Sequence, residues 1–132
     1  MTQQIAHTVH LLDELPDGLL PVPLHSSRQR ERGYNQALEL ARPIAKQLQI
    51  PLFNDLATRI KPTPPQSSLS LRQRRHNLKD AFIVNYSVKN KHIAIIDDVM
   101  TSGTTVNALA HKLKQAGARR VSVWCCCRAE PP

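Results

Sequence analysis

His92-Ile93-Ala94-Ile95-Ile96-Asp97-Asp98-Val99-Met100-Thr101-Ser102-Gly103-Thr104-Thr105 is the stretch that decides the fold. Its continuous apolar run, Ile93 to Ile96, is what a strand buried on both faces requires. The polar residues Asp98 to Gly103 read as a turn, and a helix is expected from about Thr104 to Gln115, with Gly117 suited to the C′ position. A second β-rich run, Val121 to Cys126, follows. Strand, turn, helix and strand make a βαβ unit, whose strands should lie parallel in one sheet with a right-handed crossover. Ligands of such sheets bind beyond the carboxyl ends of the strands, and the polar turn falls there.

Working outward, Ala81 to Val84 reads as a strand and residues 52–60 as a short one. Leu19 to Leu24 is apolar, but Pro21 and Pro23 limit its ladder bonds and suit an edge or a strand end. Leu38, Ala41, Ala45 and Leu48 recur at helical spacing behind Asn35, a natural N-cap, while Pro43 predicts a kink or a break. Ile5, Val9, Leu12 and Leu15 would line one side of a short helix over residues 3–15. The KPTPPQSS stretch carries three prolines in eight positions and is no regular element. The expected fold is α/β, with a mainly parallel central sheet covered by helices on both faces, in one domain over residues 1–132.

Composition narrows the function. The chain has 132 residues, 41% hydrophobic and 21% charged, which is ordinary for a globular protein. No apolar run approaches the roughly 18 residues of a membrane span, and the N-terminus lacks the pattern of a secretory signal, so a cytoplasmic location is the expectation. Cys125, Cys126 and Cys127 are adjacent, which suits neither a spaced zinc site nor a disulfide framework. Residues 25–79 hold eleven basic and three acidic residues, which accounts for the whole net charge of +8. An anionic partner should meet that stretch. Aromatic residues are only 4%, too few for a base-stacking platform on single-stranded nucleic acid.

The turn combines two unlike devices. Thr101, Ser102, Thr104 and Thr105 supply hydroxyls, Gly103 allows close backbone approach, and the helix start offers free N–H groups. Together they suit a phosphate monoester. Asp97 and Asp98 would repel that phosphate, so they are expected to hold sugar hydroxyls or a magnesium ion. A TSGTT run alone is more often a helix cap. The acid pair ahead of it favours a ligand with a 5-phosphate, a ribose diol and a metal-bound pyrophosphate.

The segment IAIIDDVMTSGTT resembles the phosphoribosyl pyrophosphate motif of type I phosphoribosyltransferases. More of the chain matches. PVPLHSSRQRERGYNQALELA, TPPQSSLSLRQRRHNLKDAF and the IDDVMTSGTT turn resemble, in that order, the ComF family of type I phosphoribosyltransferase-like proteins, some of them linked to DNA uptake in competence. The 132 residues carry no counterpart of the N-terminal zinc-binding cysteine cluster of many members. Thr101 stands where purine phosphoribosyltransferases often place a base-contacting Asp, which weakens a purine acceptor.

The resemblance implies that Asp97, Asp98, Thr101, Ser102, Gly103, Thr104 and Thr105 bind phosphoribosyl pyrophosphate, with magnesium on or near the two acids. It implies a pyrophosphate loop with Arg28, Arg30 and Arg32, whose guanidinium forks match phosphate oxygens. It also implies a loop closing over the substrate, with Arg72 and Arg75 at the leaving group. The expected reaction is transfer of the phosphoribosyl group to a nitrogenous acceptor with release of pyrophosphate. The competing readings are a non-catalytic nucleotide-binding module and a protein that handles DNA, with partners in the DNA-uptake machinery or in a second copy.

Overall fold

The computed structural model describes residues 14–24, 35–60, 80–100 and 103–128, with backbone alone at 99, 100, 104 and 126–128. Five strands and two helices occur there: β1 (Gly18–Pro21), α1 (Gln36–Leu48), β2 (Ala57–Arg59), β3 (Phe82–Val84), β4 (His92–Met100), α2 (Thr104–Gln115) and β5 (Arg120–Arg128). The expected helix over residues 3–15 lies almost wholly outside them.

β4 is the centre of a parallel sheet ordered β1-β4-β5. Its neighbours are in register as Leu20↔Ile95 on one side and Ile95↔Val123 on the other. The apolar run is buried on both faces because its side chains alternate between two cores. Ile93 and Ile95 join Leu20, Val106, Leu109 and Leu113 under α2. Ala94 and Ile96 join Leu19, Trp124, Ala41 and Ile44 under α1. The α/β architecture with a helix on each face is therefore present.

Two local expectations change and one holds. The strand expected to end at Asp97 runs on to Met100, because β5 continues beside it with Val99↔Cys127 and Met100↔Arg128 in register. The polar turn is accordingly shorter than the sequence suggests. Pro43 does not break α1, which runs through it for 13 residues. Pro43 lies on the exposed side, where the Glu39 carbonyl that loses its partner can face water. β1 is not an edge. The Leu19 N–H donates to Pro51 O (3.0 Å) and the Phe53 N–H to Leu19 O (2.8 Å), so both its sides are bonded and Pro21 falls at its end.

β2 and β3 form a separate antiparallel pair, Thr58↔Ile83 at its middle, with Arg59 over the Phe82 ring. Phe82 and Ala81 anchor this pair to the α2 core. The amino end of β4 is tied down by side chains. The His92 N–H donates to Asp17 Oδ2 (2.7 Å), and His92 Nε2 pairs with Ser122 Oγ (2.7 Å). Glu14 receives Arg119 and lies 3.8 Å from Arg120.

Candidate phosphate and ribose site

In the carboxyl half of β4, just past the last residue paired with β1, the main chain carries Asp97 and Asp98, both half-buried. Burial pushes the Asp97 carboxyl up to about 7, and the hydrogen bond and charge of the neighbouring Asp98 carboxyl push the same way. The Asp98 backbone N–H opposes them weakly. The cause is elementary. Two carboxylates side by side in a partly dry setting resist both being charged. A cation or a pair of hydroxyl donors would relieve that repulsion.

Gly103 follows after a short connection, at φ +76, as the N-cap of α2. Residues with a Cβ rarely take this left-handed conformation, which is the physical reason for a glycine here. It contributes no side-chain cap, and the first turn of α2 holds no acidic residue. The leading N–H groups of the helix are thus not matched by a carboxylate of that turn, and the helix dipole favours an anion at this point. Thr105, half-buried, lies in that first turn.

Of the residues singled out from sequence, the structure describes Asp97 and Asp98 on β4, Gly103 and Thr105 at the start of α2, and the Thr104 backbone. Thr101 and Ser102 lie outside the described residues, as do Arg28, Arg30, Arg32, Arg72 and Arg75. The described chain on either side of Arg28, Arg30 and Arg32 is nonetheless placed. Ahead of them β1 runs parallel to β4 and ends with Pro21 beside Ile96, one residue before Asp97. After them comes Asn35, whose Oδ1 accepts from Ala37 N (2.9 Å) and Leu38 N (3.3 Å) while its Nδ2 donates to Val22 O (3.0 Å). One buried side chain therefore caps α1 and holds that helix start against the end of β1.

Sequence reasoning missed Cys125 as a neighbour of the site. Its register pairing with Asp97 sets it on the same side of the sheet as that acid. The signal was available in principle, from aligning Ile93–Ile96 with Val121–Trp124 and counting one step further. Among the described residues no group of three or more His, Cys, Asp or Glu is placed to hold a metal ion. The donor set at this end is two hard carboxylate groups. That suits magnesium only if a ligand and water complete its shell. Among the described residues no helix is long and apolar enough to cross a membrane.

Comparison with known proteins bears on the family and the fold. Residues 35–131 match the phosphoribosyl transferase domain family. The chain is 42% identical over 115 residues to the DNA utilization protein YhgH of Escherichia coli O157:H7, covering 87% of this chain and 51% of that protein. It is 40% identical over 119 residues to competence protein F of Haemophilus influenzae, covering 88% and 52%. The chain thus spans about half the length of these curated relatives. In fold it is similar to a purine phosphoribosyltransferase from Pyrococcus horikoshii Ot3, at a TM-score of 0.57 and 17% identity, over 94% of this chain and 67% of that one. The chain belongs to the phosphoribosyl transferase domain family, with ComF-type competence and DNA utilization proteins as its relatives.

Proposed function

We propose that the chain binds phosphoribosyl pyrophosphate with magnesium at the carboxyl end of β4, and transfers the phosphoribosyl group to a nitrogenous acceptor. The observation that carries this reading is the crowded, half-buried Asp97–Asp98 pair beside a glycine-opened helix start, on a phosphoribosyltransferase-type fold. Asp97 and Asp98 accept the ribose hydroxyls and fix the ring. The N–H groups at the start of α2, with Thr101, Ser102, Thr104 and Thr105, hold the 5-phosphate. Arg28, Arg30 and Arg32 hold the pyrophosphate, and Arg72 and Arg75 close over it.

In the reaction the bond from ribose C1 to the pyrophosphate oxygen breaks, and its electron pair leaves with the pyrophosphate. A nitrogen lone pair of the acceptor forms the new bond at C1, and that nitrogen gives up its proton to solvent. Magnesium, when bound, supplies charge stabilisation to the departing pyrophosphate. Orientation of the ring by the two acids is this chain's own contribution to the barrier. The reading sets the activity in the cytoplasm. Calorimetric titration with phosphoribosyl pyrophosphate, with and without magnesium, and a pyrophosphate-release screen over nitrogenous bases test it. Binding without release for every base would reduce the enzyme to a binding module, and no binding at all would refute the site.

A second reading is favoured by the names of the relatives and by the basic charge: the domain serves in handling DNA. The two are compatible, since the acids of the ribose site would repel a nucleic-acid backbone and DNA would have to bind elsewhere.

A further inference from the structure

Outside residues 25–79 the chain carries seven basic residues against seven acidic ones. Six of the seven basic ones, Lys89, Lys91, Lys112, Lys114, Arg119 and Arg120, belong to one end of the domain. The turn before β4 is bonded to the turn after α2: Val88 N donates to Ala116 O (3.3 Å), Asn90 N to Gly117 O (3.0 Å) and Arg119 N to Lys91 O (2.9 Å). Gly117, at φ +103, lets these turns close, since a Cβ there would lie 3.1 Å from the Lys89 Cα. Lys112 and Lys114 stand in the last turn of α2, and Lys114 Nζ reaches Arg119 O at 2.8 Å.

Three acids sit among these six, each with a defined task. Glu14 is engaged by Arg119 and Arg120, Asp80 by Lys112 (3.2 Å), and Asp17 accepts the His92 N–H. Among the described residues an excess of three positive charges is left there, with Lys89, Lys91, Lys114, Arg119 and Arg120 exposed. The carboxyl end of the α2 dipole, equivalent to roughly half a negative charge, does not cancel it. The negative groups of this half of the chain that remain at the sheet are Asp97 and Asp98, at the opposite end of β4.

We infer that the amino end of the sheet, around Lys89, Lys91, Lys114 and Arg119, is a docking surface for the phosphate backbone of DNA, separate from the ribose site. The inference rests on the DNA-handling reading and not on the transferase one. A surface of this kind, without an aromatic platform, contacts phosphates alone. Its binding is therefore indifferent to sequence and steeply dependent on salt.

The test uses the parent chain and Lys89→Gln with Lys91→Gln, two exposed positions whose side chains carry no structural bond described above. Anisotropy of a labelled DNA duplex, from 50 to 200 mM salt, gives affinity and slope. Loss of two phosphate contacts should weaken binding at 0.1 M salt by about tenfold or more, and lower the slope of log K against log salt by about 1.8. Titration of the same variant with phosphoribosyl pyrophosphate should match the parent. Unchanged DNA affinity and slope overturn the inference, as does a parent chain that binds no duplex. A loss confined to Arg72→Gln with Arg75→Gln overturns it too, by moving the surface to the central segment. If poly-glutamate competes as well as DNA at equal charge, the surface fits an acidic protein and the DNA assignment falls. Failure of phosphoribosyl pyrophosphate to bind either protein refutes the site at Asp97 and leaves this readout standing.

Discussion

The two ends of β4 handle charge in opposite ways. At the amino end His92 is 1% exposed, bonded through Nε2 to Ser122, and the neighbouring Glu14 carboxylate is met by two arginines. At the carboxyl end two acids crowd each other, and the charged group that acts on Asp97 is another carboxyl. Five positions of one strand separate His92, where the surrounding charges are paired although its Nδ1 is buried without a hydrogen bond, from Asp97, where like charges crowd. Local frustration of this kind, in a fold otherwise consistent from propensity to packing, marks a place where a ligand belongs.

The largest expected effect tests the need for that ligand. If Asp97 and Asp98 hold the ribose diol, Asp97→Asn with Asp98→Asn removes two charge-assisted hydrogen bonds of roughly 1.5–3 kcal/mol each. Affinity for phosphoribosyl pyrophosphate with magnesium should fall by about 100-fold or more, read by calorimetry. An affinity within threefold of the parent would show that the acids are only a strand end. Gly103→Val comes next. Forcing a β-branched residue to φ +76 costs about 1–2 kcal/mol, and its Cβ stands where the phosphate must approach. Binding should drop by about tenfold or more, with the circular dichroism spectrum retained. Parent-like binding would remove the phosphate from this turn.

The contrast between the ends also clarifies what the sequence could and could not reveal. The α2 boundaries, Gly117 after it and the Asn35 cap were legible because each is written in neighbouring residues. So was the doubly buried strand, since Ile93 to Ile96 leaves no polar face. The reach of β4 to Met100 was not, because it depends on β5 continuing alongside, 28 residues further on in register. Pro43 misled for a similar reason: the helix tolerates it through packing of Ala41 and Ile44 on the sheet. At the site, Asp97 and Gly103 were legible as chemistry, whereas the closeness of Cys125 to Asp97 appears only in the strand register. The amino-end cluster was invisible to pattern reading, since Glu14 meets Arg119 across 105 residues.

A smaller effect separates the ends by pH. An acid whose folded pKa is raised from 3.8 to about 7 contributes stability that is fully present below 3.8 and lost as pH rises to 7. Asp97→Asn removes that loss. At pH 8 the variant should be more stable than the parent by about 1–2 kcal/mol, less than the full shift would give because the carboxyl is only half-buried. At pH 4 the advantage should vanish. Urea denaturation at the two pH values measures it, and a variant no more stable at pH 8 would mean that neither burial nor Asp98 disfavours the charged Asp97 carboxylate in the folded chain.

The smallest effect lies at the amino end and carries the opposite sign. Burial, and then the positive charge of Arg120, hold His92 below the ordinary histidine value, with Arg119 adding to the effect while Glu14 and Asp17 oppose it. A histidine lowered in this way contributes stability that is present above 6.5 and lost as pH falls through its folded pKa. His92→Gln keeps a polar group near Ser122 but cannot titrate. At pH 7.5 it should cost about 1 kcal/mol, the scale of the hydrogen bond between His92 and Ser122. Between pH 6.5 and 5 the parent should lose stability that the variant keeps, so the two curves converge. Glu14, held low by Arg119, titrates below its ordinary value of 4.5 and stays out of this window. Asp97 is common to both proteins, so its contribution cancels in their difference. Parallel curves from pH 7.5 to 5 would mean that the His92 ring takes up its proton as freely in the folded chain as in the unfolded one.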